Sequence, residues 1–180
     1  MIKKKILVTG ANGLLGQKIV YELKNREDVS LIACSRGPNR LIETNGYKYV
    51  ELDITNRNEV QKFISSEKPN AVINCAAMTN VDACEKNQKD CWEINVNAVE
   101  NIAISCESIK AHVLHLSTDF VFDGTAGPYN ENDLPNPLHF YAESKLKSEE
   151  IVQKNLTNWS IARTIIIYGI TWSYCESHSN

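Results

Sequence analysis

The sequence predicts an α/β protein built on a doubly wound parallel sheet. Short apolar runs of strand length alternate along the 180-residue chain with longer stretches whose apolar residues recur at helical spacing. The strand-like runs are apolar almost throughout, as expected when helices cover both faces of a sheet. Together, the alternation and the continuous apolar runs favour parallel strands joined by helical crossovers.

The first half of the chain contains four predicted strands. Residues 5–10 (KILVTG), 29–35 (VSLIACS) and 70–77 (NAVINCAA) are nearly continuous apolar runs, and residues 47–53 (YKYVELD) are the third strand in chain order. Residues 57–68 (RNEVQKFISSEK) place their apolar side chains on one helical face. A helix after the first strand is predicted by apolar residues at helical spacing: Leu15, Ile19, Val20 and Leu23.

The second half continues the same alternation. Residues 91–109 predict a helix, and residues 111–118 (AHVLHLST) predict the fifth strand. The stretch 124–137 is rich in Gly, Pro and Asn, so it is predicted to be a loop on the substrate side of the sheet. A helix containing residues 139–147 (HFYAESKLK) and a sixth strand at 159–167 (WSIARTIII) follow. We assign residues 1–170 to one domain and residues 171–180, which lack apolar periodicity, to an irregular tail.

Composition excludes several classes of function. The net charge of −3 provides no basic footprint for nucleic acid or an anionic membrane surface. No apolar run approaches the roughly 20 residues of a membrane-spanning helix, so a cytoplasmic protein is expected. The six cysteines form no Cys-x-x-Cys motif and none has zinc-ligand spacing, so we expect reduced, structural thiols and no metal site.

A glycine-rich turn lies between the first strand and the first helix. In VTGANGLLG, residues 8–16, the glycines are Gly10, Gly13 and Gly16. Glycines at this position let the chain turn tightly against a pyrophosphate, while free helix N–H groups attract its charge. The sequence therefore predicts a Rossmann-type dinucleotide site, whose loop also contains Asn12, Leu14 and Leu15.

The end of the second strand bears on cofactor choice. NAD-preferring sites usually have an Asp or Glu about 20 residues beyond the glycines, where it binds the ribose 2′-hydroxyl. This chain has Ser35 and Arg36 there. Because a guanidinium suits a 2′-phosphate, we predict a preference for NADP(H) over NAD(H). The alternative is a loop arginine that faces water.

Tyr141 and Lys145 lie four residues apart, which stacks them on one helical face. An ammonium and an oxidised nicotinamide beside the phenol would lower its pKa toward the working range of an acid/base group. Ser117 and Thr118 end the fifth strand at the carboxyl edge, where a hydroxyl can donate to a substrate carbonyl. Asn95, with Asn97 as the alternative, is the predicted fourth member of this catalytic group.

Several segments occur in the order found in one enzyme family. They are Gly10-x-x-Gly13-x-x-Gly16, NCAAMTNVDACE (74–85), STDFVFDG (117–124), Tyr141-x-x-x-Lys145 and RTIIIYG (163–169). Over residues 1–171 the chain resembles the extended short-chain dehydrogenases/reductases, and within them the dTDP-4-dehydrorhamnose reductases. The STDFVFDG segment is the most subgroup-specific part, because epimerases and dehydratases of the superfamily usually carry a Ser-Ser-x-x-Val-Tyr-Gly-like box there.

The resemblance implies a role for each matching position. Thr118, Tyr141 and Lys145 would be catalytic, and hydride transfer from NADPH would reduce a 4-keto nucleotide sugar. Asp53 and Ile54 would contact the adenine, although Asp53 could instead cap the following helix. The residues implied to border the cofactor ribose and phosphates are Ala76, Ala77 and Thr79.

Family members run well beyond 180 residues, so the resemblance also implies that most of the nucleotide-sugar lobe is missing, as in a C-terminally truncated reductase. We therefore expect the cofactor site to be retained and substrate affinity and turnover to be poor or absent. Exposed apolar surface is expected to favour association, with a homodimer as one form. The alternative from another class is a non-catalytic binding module that resembles the regulatory subunit of methionine adenosyltransferase. An epimerase or dehydratase is disfavoured by the Thr-Asp-Phe sequence at 118–120.

Overall fold

The computed structural model describes residues 2–170 of the chain. Six parallel strands form one sheet in the order β3-β2-β1-β4-β5-β6. The strands are β1 (Lys4–Thr9), β2 (Val29–Ser35), β3 (Lys48–Glu51), β4 (Ala71–Asn74), β5 (His112–Thr118) and β6 (Trp159–Thr164). The helices are α1 (Leu14–Leu23), α2 (Arg57–Glu67), α3 (Val81–Lys86), α4 (Gln88–Trp92), α5 (Ala98–Ser108) and α6 (Phe140–Asn155).

This strand order confirms the predicted doubly wound α/β fold. The chain builds outward from β1 to β3 on one side, then returns to the centre and places β4 beside β1. The connections that follow β1 and β4 run to opposite sides of this pair, to β2 and to β5, and open α/β sheets bind their ligands at such a switch point. In the register of these two strands, Thr9 pairs with Asn74, so both residues lie at the carboxyl edge of the sheet.

Two apolar layers hold the sheet between helices. Successive residues of β1 point to opposite faces, so Leu7 packs in the layer that contains α2, α5 and α6 residues, while Val8 packs in the layer that contains Val20 of α1. Both side chains are at most 1% exposed. Coverage of both faces explains why the strands read as continuous apolar runs.

Two strands, β4 and β6, end three residues before their predicted ends. The prediction extended β4 to residue 77 and β6 to residue 167, whereas the ladders end at Asn74 and Thr164. Residues 75–77 and 165–167 instead line the cleft at the carboxyl edge of the sheet. Their apolar character therefore serves the cleft and not the ladder.

The predicted helix at 91–109 is also interrupted. A π-helical turn, Glu93–Asn97, separates α4 from α5, and the short helix α3, capped by the Asn80 side chain, was not predicted. The extra residue of a π turn rotates the side chains around it, and here it buries Asn95 completely. Among the described residues, no helix combines the length and apolar character needed to cross a membrane. The predicted tail, 171–180, lies outside the described residues.

Candidate active site

An elongated cleft runs along the carboxyl edge of the sheet. It consists of a cavity of about 450 Å³ over β4 and β5 and a second of about 230 Å³ over β2 and β3. The two cavities share four lining residues, so they form one continuous site: Gly13, Cys75, Ala76 and Ala77. A two-part cleft of this kind suits a ligand with two linked halves.

The glycine turn forms the floor where the two cavities meet. Gly10 has a φ of +66°, and a Cβ on it would lie 2.7 Å from the backbone nitrogen of Ala76. A Cβ on Gly16 would overlap the carbonyl oxygen of Gly10. The close approach of strand ends and helix therefore depends on glycine at both positions.

Helix α1 opens toward the larger cavity. Gly13 is its N-cap residue and provides no side-chain cap, and Leu14, Leu15 and Gly16 of the first turn line the cavity. The first N–H groups of a helix lack intrahelical acceptors, and the helix dipole adds positive potential there. The geometry suits an anionic group such as a pyrophosphate.

Asn12 differs from the expectation for a cofactor residue, because it lines neither cavity. Its Nδ2 donates to the carbonyl of Pro38 (2.9 Å) and the hydroxyl of Tyr49 (3.0 Å), while its Oδ1 accepts from the backbone of Arg40 (3.0 Å). The side chain thus ties the glycine turn to the segment after β2. Its contribution is to the shape of the turn.

The smaller cavity contains the residues predicted to meet the adenosine. Ser35, Arg36, Asp53 and Ile54 all line it, and Arg36 is exposed. The Oδ1 of Asp53 accepts from the backbone nitrogen (3.0 Å) and the hydroxyl (2.8 Å) of Thr55. The alternative role of Asp53 as a helix cap is wrong, since the side chain that caps α2 belongs to Asn56.

The larger cavity brings together three of the four predicted catalytic residues. Thr118 ends β5, and Tyr141 and Lys145 lie in the first turns of α6, whose N-terminus is capped by the His139 side chain. Tyr141 is 9% exposed and Lys145 is 2% exposed. Ala76, Ala77 and Thr79, which the resemblance assigns to the cofactor ribose and phosphates, line the same cavity.

Burial shifts the pKa values of Tyr141 and Lys145. Desolvation raises the pKa of Tyr141, while the neighbouring Thr118 hydroxyl acts in the opposite direction. Desolvation also lowers the pKa of Lys145 to about 8, against the attraction of Glu149. The cost of burying a phenolate therefore sets the direction of the Tyr141 pKa shift in this structure, and the lowering by an ammonium and an oxidised nicotinamide together stays a prediction.

Asn95 does not reach the cleft. Its Oδ1 accepts from the backbone nitrogen of Met78 (2.8 Å), and its Nδ2 lies 3.0 Å from both the Met78 carbonyl and the Ser144 hydroxyl. Asn97, the alternative, donates to Glu93 at 2.6 Å. The structure thus places Asn95 behind the catalytic group, where it joins the segment after β4 to α6.

Sequence reasoning missed a buried polar group behind Lys145. His115 of β5 is fully buried, and its Nε2 lies 3.2 Å from the Lys145 Nζ. Glu149, 1% exposed, accepts from the Ser117 hydroxyl and forms an ion pair with Arg163. The signal that could have found them is the alternation of His115 and Ser117 along an otherwise apolar strand, on the face that a helix covers.

The loop at 124–137 forms one wall of a third cavity, of about 680 Å³, which shares Asp119 and Phe120 with the larger cavity. The loop is organised by Asp123, whose carboxylate accepts from Thr125, Tyr129 and Asn136, and these hydrogen bonds hold its pKa well below the usual range. Phe122 stacks on Tyr129 with ring centroids 4.3 Å apart. Among residues 2–170, no group of three or more His, Cys, Asp or Glu side chains is placed to hold a metal ion.

Comparison with known proteins identifies relatives of this chain. The profile described as "RmlD substrate binding domain" matches residues 4–174. Methionine adenosyltransferase 2 subunit beta of Bos taurus is 32% identical over 92% of this chain and 48% of its own length. The dTDP-4-dehydrorhamnose reductase of Aggregatibacter actinomycetemcomitans is 32% identical over 98% of this chain and 54% of its own.

Solved structures of dTDP-4-dehydrorhamnose reductases superimpose on this chain. A dTDP-4-dehydrorhamnose reductase from Clostridium acetobutylicum superimposes with a TM-score of 0.81 and 38% identity, over 94% of this chain and 56% of that one. The reductase of Bacillus anthracis, solved in complex with NADP, gives a TM-score of 0.81 and 31% identity, over 93% of this chain and 55% of that one. The chain spans about half the length of the relatives it matches.

Proposed function

The chain belongs to the RmlD substrate binding domain family, and from that premise we propose that it binds NADP(H) and reduces the 4-keto group of a nucleotide sugar. The observation that carries the proposal is the larger cavity, in which the first turn of α1 faces Thr118, Tyr141 and Lys145 across one space. An anion site and a proton donor that share a cavity are what a nicotinamide-dependent reductase requires.

The residues present fit the dinucleotide. Glycine at positions 10 and 16 lets the turn pack closely against the segment after β4 and against α1, and the first turn of α1 supplies uncapped N–H groups for a pyrophosphate. Ser35, Arg36, Asp53 and Ile54 border the part of the cleft that would take the adenosine. NADP(H), when bound, supplies the hydride.

Residues of the chain would supply the proton that the substrate oxygen receives. Thr118, at the carboxyl end of β5, would donate its hydroxyl hydrogen to the substrate carbonyl oxygen and so orient it. Tyr141 would then transfer its phenolic proton to the oxygen that becomes the new hydroxyl. Because burial raises the pKa of Tyr141, the phenol keeps its proton at neutral pH, which suits a general acid in the reducing direction. Lys145, which lines the same cavity, would favour the phenolate left behind.

Calorimetric titration with NADPH and NADH, followed by a turnover assay with a dTDP-4-keto-6-deoxy sugar, tests the proposal. We expect NADPH to bind and Tyr141→Phe to retain that binding while it abolishes any turnover. A chain that binds neither cofactor would refute the dinucleotide assignment. Binding by a wild-type chain without turnover would refute the reductase activity and favour the second candidate.

That second candidate is a binding subunit of a larger assembly. It is favoured by the names of three relatives, from Bos taurus, Danio rerio and Xenopus tropicalis, which are each called methionine adenosyltransferase 2 subunit beta and are 32–33% identical to this chain. Size-exclusion chromatography with a methionine adenosyltransferase catalytic subunit would show co-elution in this case. For the reductase, a cytoplasmic homodimer is the form we propose.

A further inference from the structure

The contact between α6 and β5 is polar, although it lies in the interior. His115 and Ser117 on β5 face Ser144, Lys145, Ser148 and Glu149 on α6, and each of these six residues is at most 5% exposed. Helix–sheet contacts are normally apolar, and buried polar groups destabilise a fold unless they are hydrogen-bonded. Each donor and acceptor in this layer therefore needs a hydrogen-bond partner.

The hydrogen bonds run in one direction from β1 to His115. The Thr9 hydroxyl donates to the Asn74 Oδ1 at 2.5 Å, which leaves the Asn74 Nδ2 facing the His115 Nδ1 at 3.1 Å. An amide NH₂ only donates, so with the Asn74 amide in this orientation the His115 Nδ1 is the acceptor. In a neutral imidazole the single N–H is then on Nε2.

That N–H points at α6. The Nε2 atom lies 2.8 Å from the Ser148 hydroxyl and 3.2 Å from the Lys145 Nζ. Ser148 uses its own hydrogen to donate to the Lys145 carbonyl at 2.6 Å, so its oxygen is free to accept from His115. The same N–H also faces the lysine nitrogen, where a neutral amine can accept it and an ammonium cannot.

We propose that His115 is a positioning residue for Lys145: Thr9 and Asn74 hold its imidazole as the neutral Nε2–H tautomer, which fixes the lysine nitrogen in the catalytic cavity and favours its neutral amine form. The inference rests on the proposed function and deepens it, because it names the group that sets the position and the protonation of the Lys145 nitrogen in the cavity it shares with Tyr141. His115 itself touches neither cavity and acts only through Lys145.

The surroundings are consistent with this arrangement. Burial and the nearby Lys145 lower the pKa of His115 well below its usual range, so the ring stays neutral. The charged or titratable groups around Lys145 are Glu149 and Tyr141 on α6, Cys91 in α4, Cys75 after β4 and His115 on β5. Burial is the largest cause that lowers the pKa of Lys145, and Glu149 acts against it. The His115 N–H, 3.2 Å from the lysine nitrogen, acts in the same direction as burial.

Nitrogen NMR of the ¹⁵N-histidine-labelled full chain tests the tautomer directly. The His115 signals, identified by their loss in His115→Gln, should show a protonated Nε2 and an unprotonated Nδ1 between about pH 5 and 9. A protonated Nδ1 in the wild-type protein overturns the proposal. This measurement requires neither cofactor nor activity.

Asn74→Asp should reverse the tautomer, because a carboxylate accepts from Nδ1–H. The Nε2 lone pair would then face Lys145 and stabilise its ammonium, so the Lys145 titration midpoint, followed by ¹³Cε NMR, should rise by about one unit. The matched control is Asn158→Asp, which makes the same change 2.7 Å from the Nδ1 of His112 on the same strand, away from Lys145. We expect no shift of the Lys145 midpoint in the control.

Two results for Asn74→Asp would overturn the inference: a reversed tautomer with an unchanged Lys145 midpoint, or a raised midpoint with an unchanged tautomer. Should this variant fail to fold, the wild-type nitrogen spectrum still decides. Failure of the proposed function is distinguishable, since it would appear as an absence of NADPH binding while the His115 tautomer remained as assigned.

Discussion

A methyl group on Gly10 would meet the backbone of the segment after β4. The φ of +66° strains any L-residue there, and a Cβ would lie 2.7 Å from the Ala76 nitrogen, where no flexible side chain can yield. Gly10→Ala should therefore reduce the free energy of unfolding, measured in urea, by more than 2 kcal/mol, roughly the sum of strain and overlap.

Gly37→Ala is the matched control. Gly37 has a similar φ of +79°, but nothing lies within 4 Å of its Cβ position, so only the conformational strain of about 1 kcal/mol should remain. Equal losses at the two positions would show that the close approach of Gly10 to Ala76 costs little. NADPH binding should be lost only in Gly10→Ala.

Arg36 tests the predicted cofactor preference. If its guanidinium binds the 2′-phosphate, Arg36→Asp should weaken NADPH binding by about tenfold or more and leave NADH binding unchanged or improved. Arg40→Asp is the control, because Arg40 is also exposed but does not line the smaller cavity. Equal NADPH affinities in calorimetry for wild type and Arg36→Asp would show that Arg36 is an ordinary surface residue.

Lys145 should make stability depend on pH in a defined window. Its pKa falls from 10.5 in the unfolded chain to about 8 in the fold, so between these values the unfolded chain binds more protons and stability rises with pH. Lys145→Met removes the free-energy cost of burying the Lys145 ammonium. Near pH 7 the variant should therefore be more stable than wild type by up to about 3 kcal/mol.

Urea unfolding of both proteins at several pH values measures the difference. The difference in the free energy of unfolding between Lys145→Met and wild type should narrow as pH increases from about 8. It should be smallest above about 10.5, where Lys145 is a neutral amine in both the folded and the unfolded wild-type chain. Comparing variant with wild type cancels the titration of the buried cysteines, which both proteins share. A difference that does not change with pH would contradict a buried, depressed lysine.

Among the secondary-structure elements, the π turn at Glu93–Asn97 has the most specific structural task. It turns the Asn95 amide inward to the backbone of Met78 and to Ser144, which aligns the segment after β4 with α6. Asn95→Ala leaves these buried groups without partners, so it should cost about 2 kcal/mol or more in urea unfolding. Asn97→Ala, one half-turn away and bonded only to Glu93, should cost less than about 1 kcal/mol.

The elements also show what sequence patterns can predict. The span of β2 matched its apolar run because the ladder continues to the end of that run. In β4 and β6 the apolar runs continue into the cleft, and a pattern of apolar residues cannot distinguish a ladder from a cavity wall. The π turn was missed because its cause, the backbone of Met78, is brought to Asn95 by tertiary packing.

The candidate site also has some parts that sequence patterns can predict and others that they cannot. The glycine turn and the Tyr141–Lys145 pair were predictable because their geometry depends on residues within one turn of a helix or loop. The Thr9–Asn74–His115 chain depends on β1 pairing with β4 and β4 with β5, at separations of 65 and 41 residues. No local spacing indicates such a contact, so the buried network appears only once the sheet order is known.

At the level of the whole molecule, an apolar strip follows β6. Ile165, Ile166, Tyr168 and Ile170 are each at least 67% exposed and succeed one another along the chain. Consecutive exposed apolar residues are unusual on a monomer and favour association. We therefore expect concentration-dependent self-association of this 180-residue chain, measured by size-exclusion chromatography with light scattering.

Ile170→Lys should shift that equilibrium toward monomer, because Ile170 belongs to the strip but does not line the catalytic cavity. Leu134→Lys provides the control: Leu134 is 90% exposed, but it lies on the loop at 124–137, apart from the strip. If both variants reduce association equally, general charge repulsion and not the strip is responsible. If only Ile170→Lys does so while NADPH binding persists, association depends on the part of the strip that lies outside the cleft.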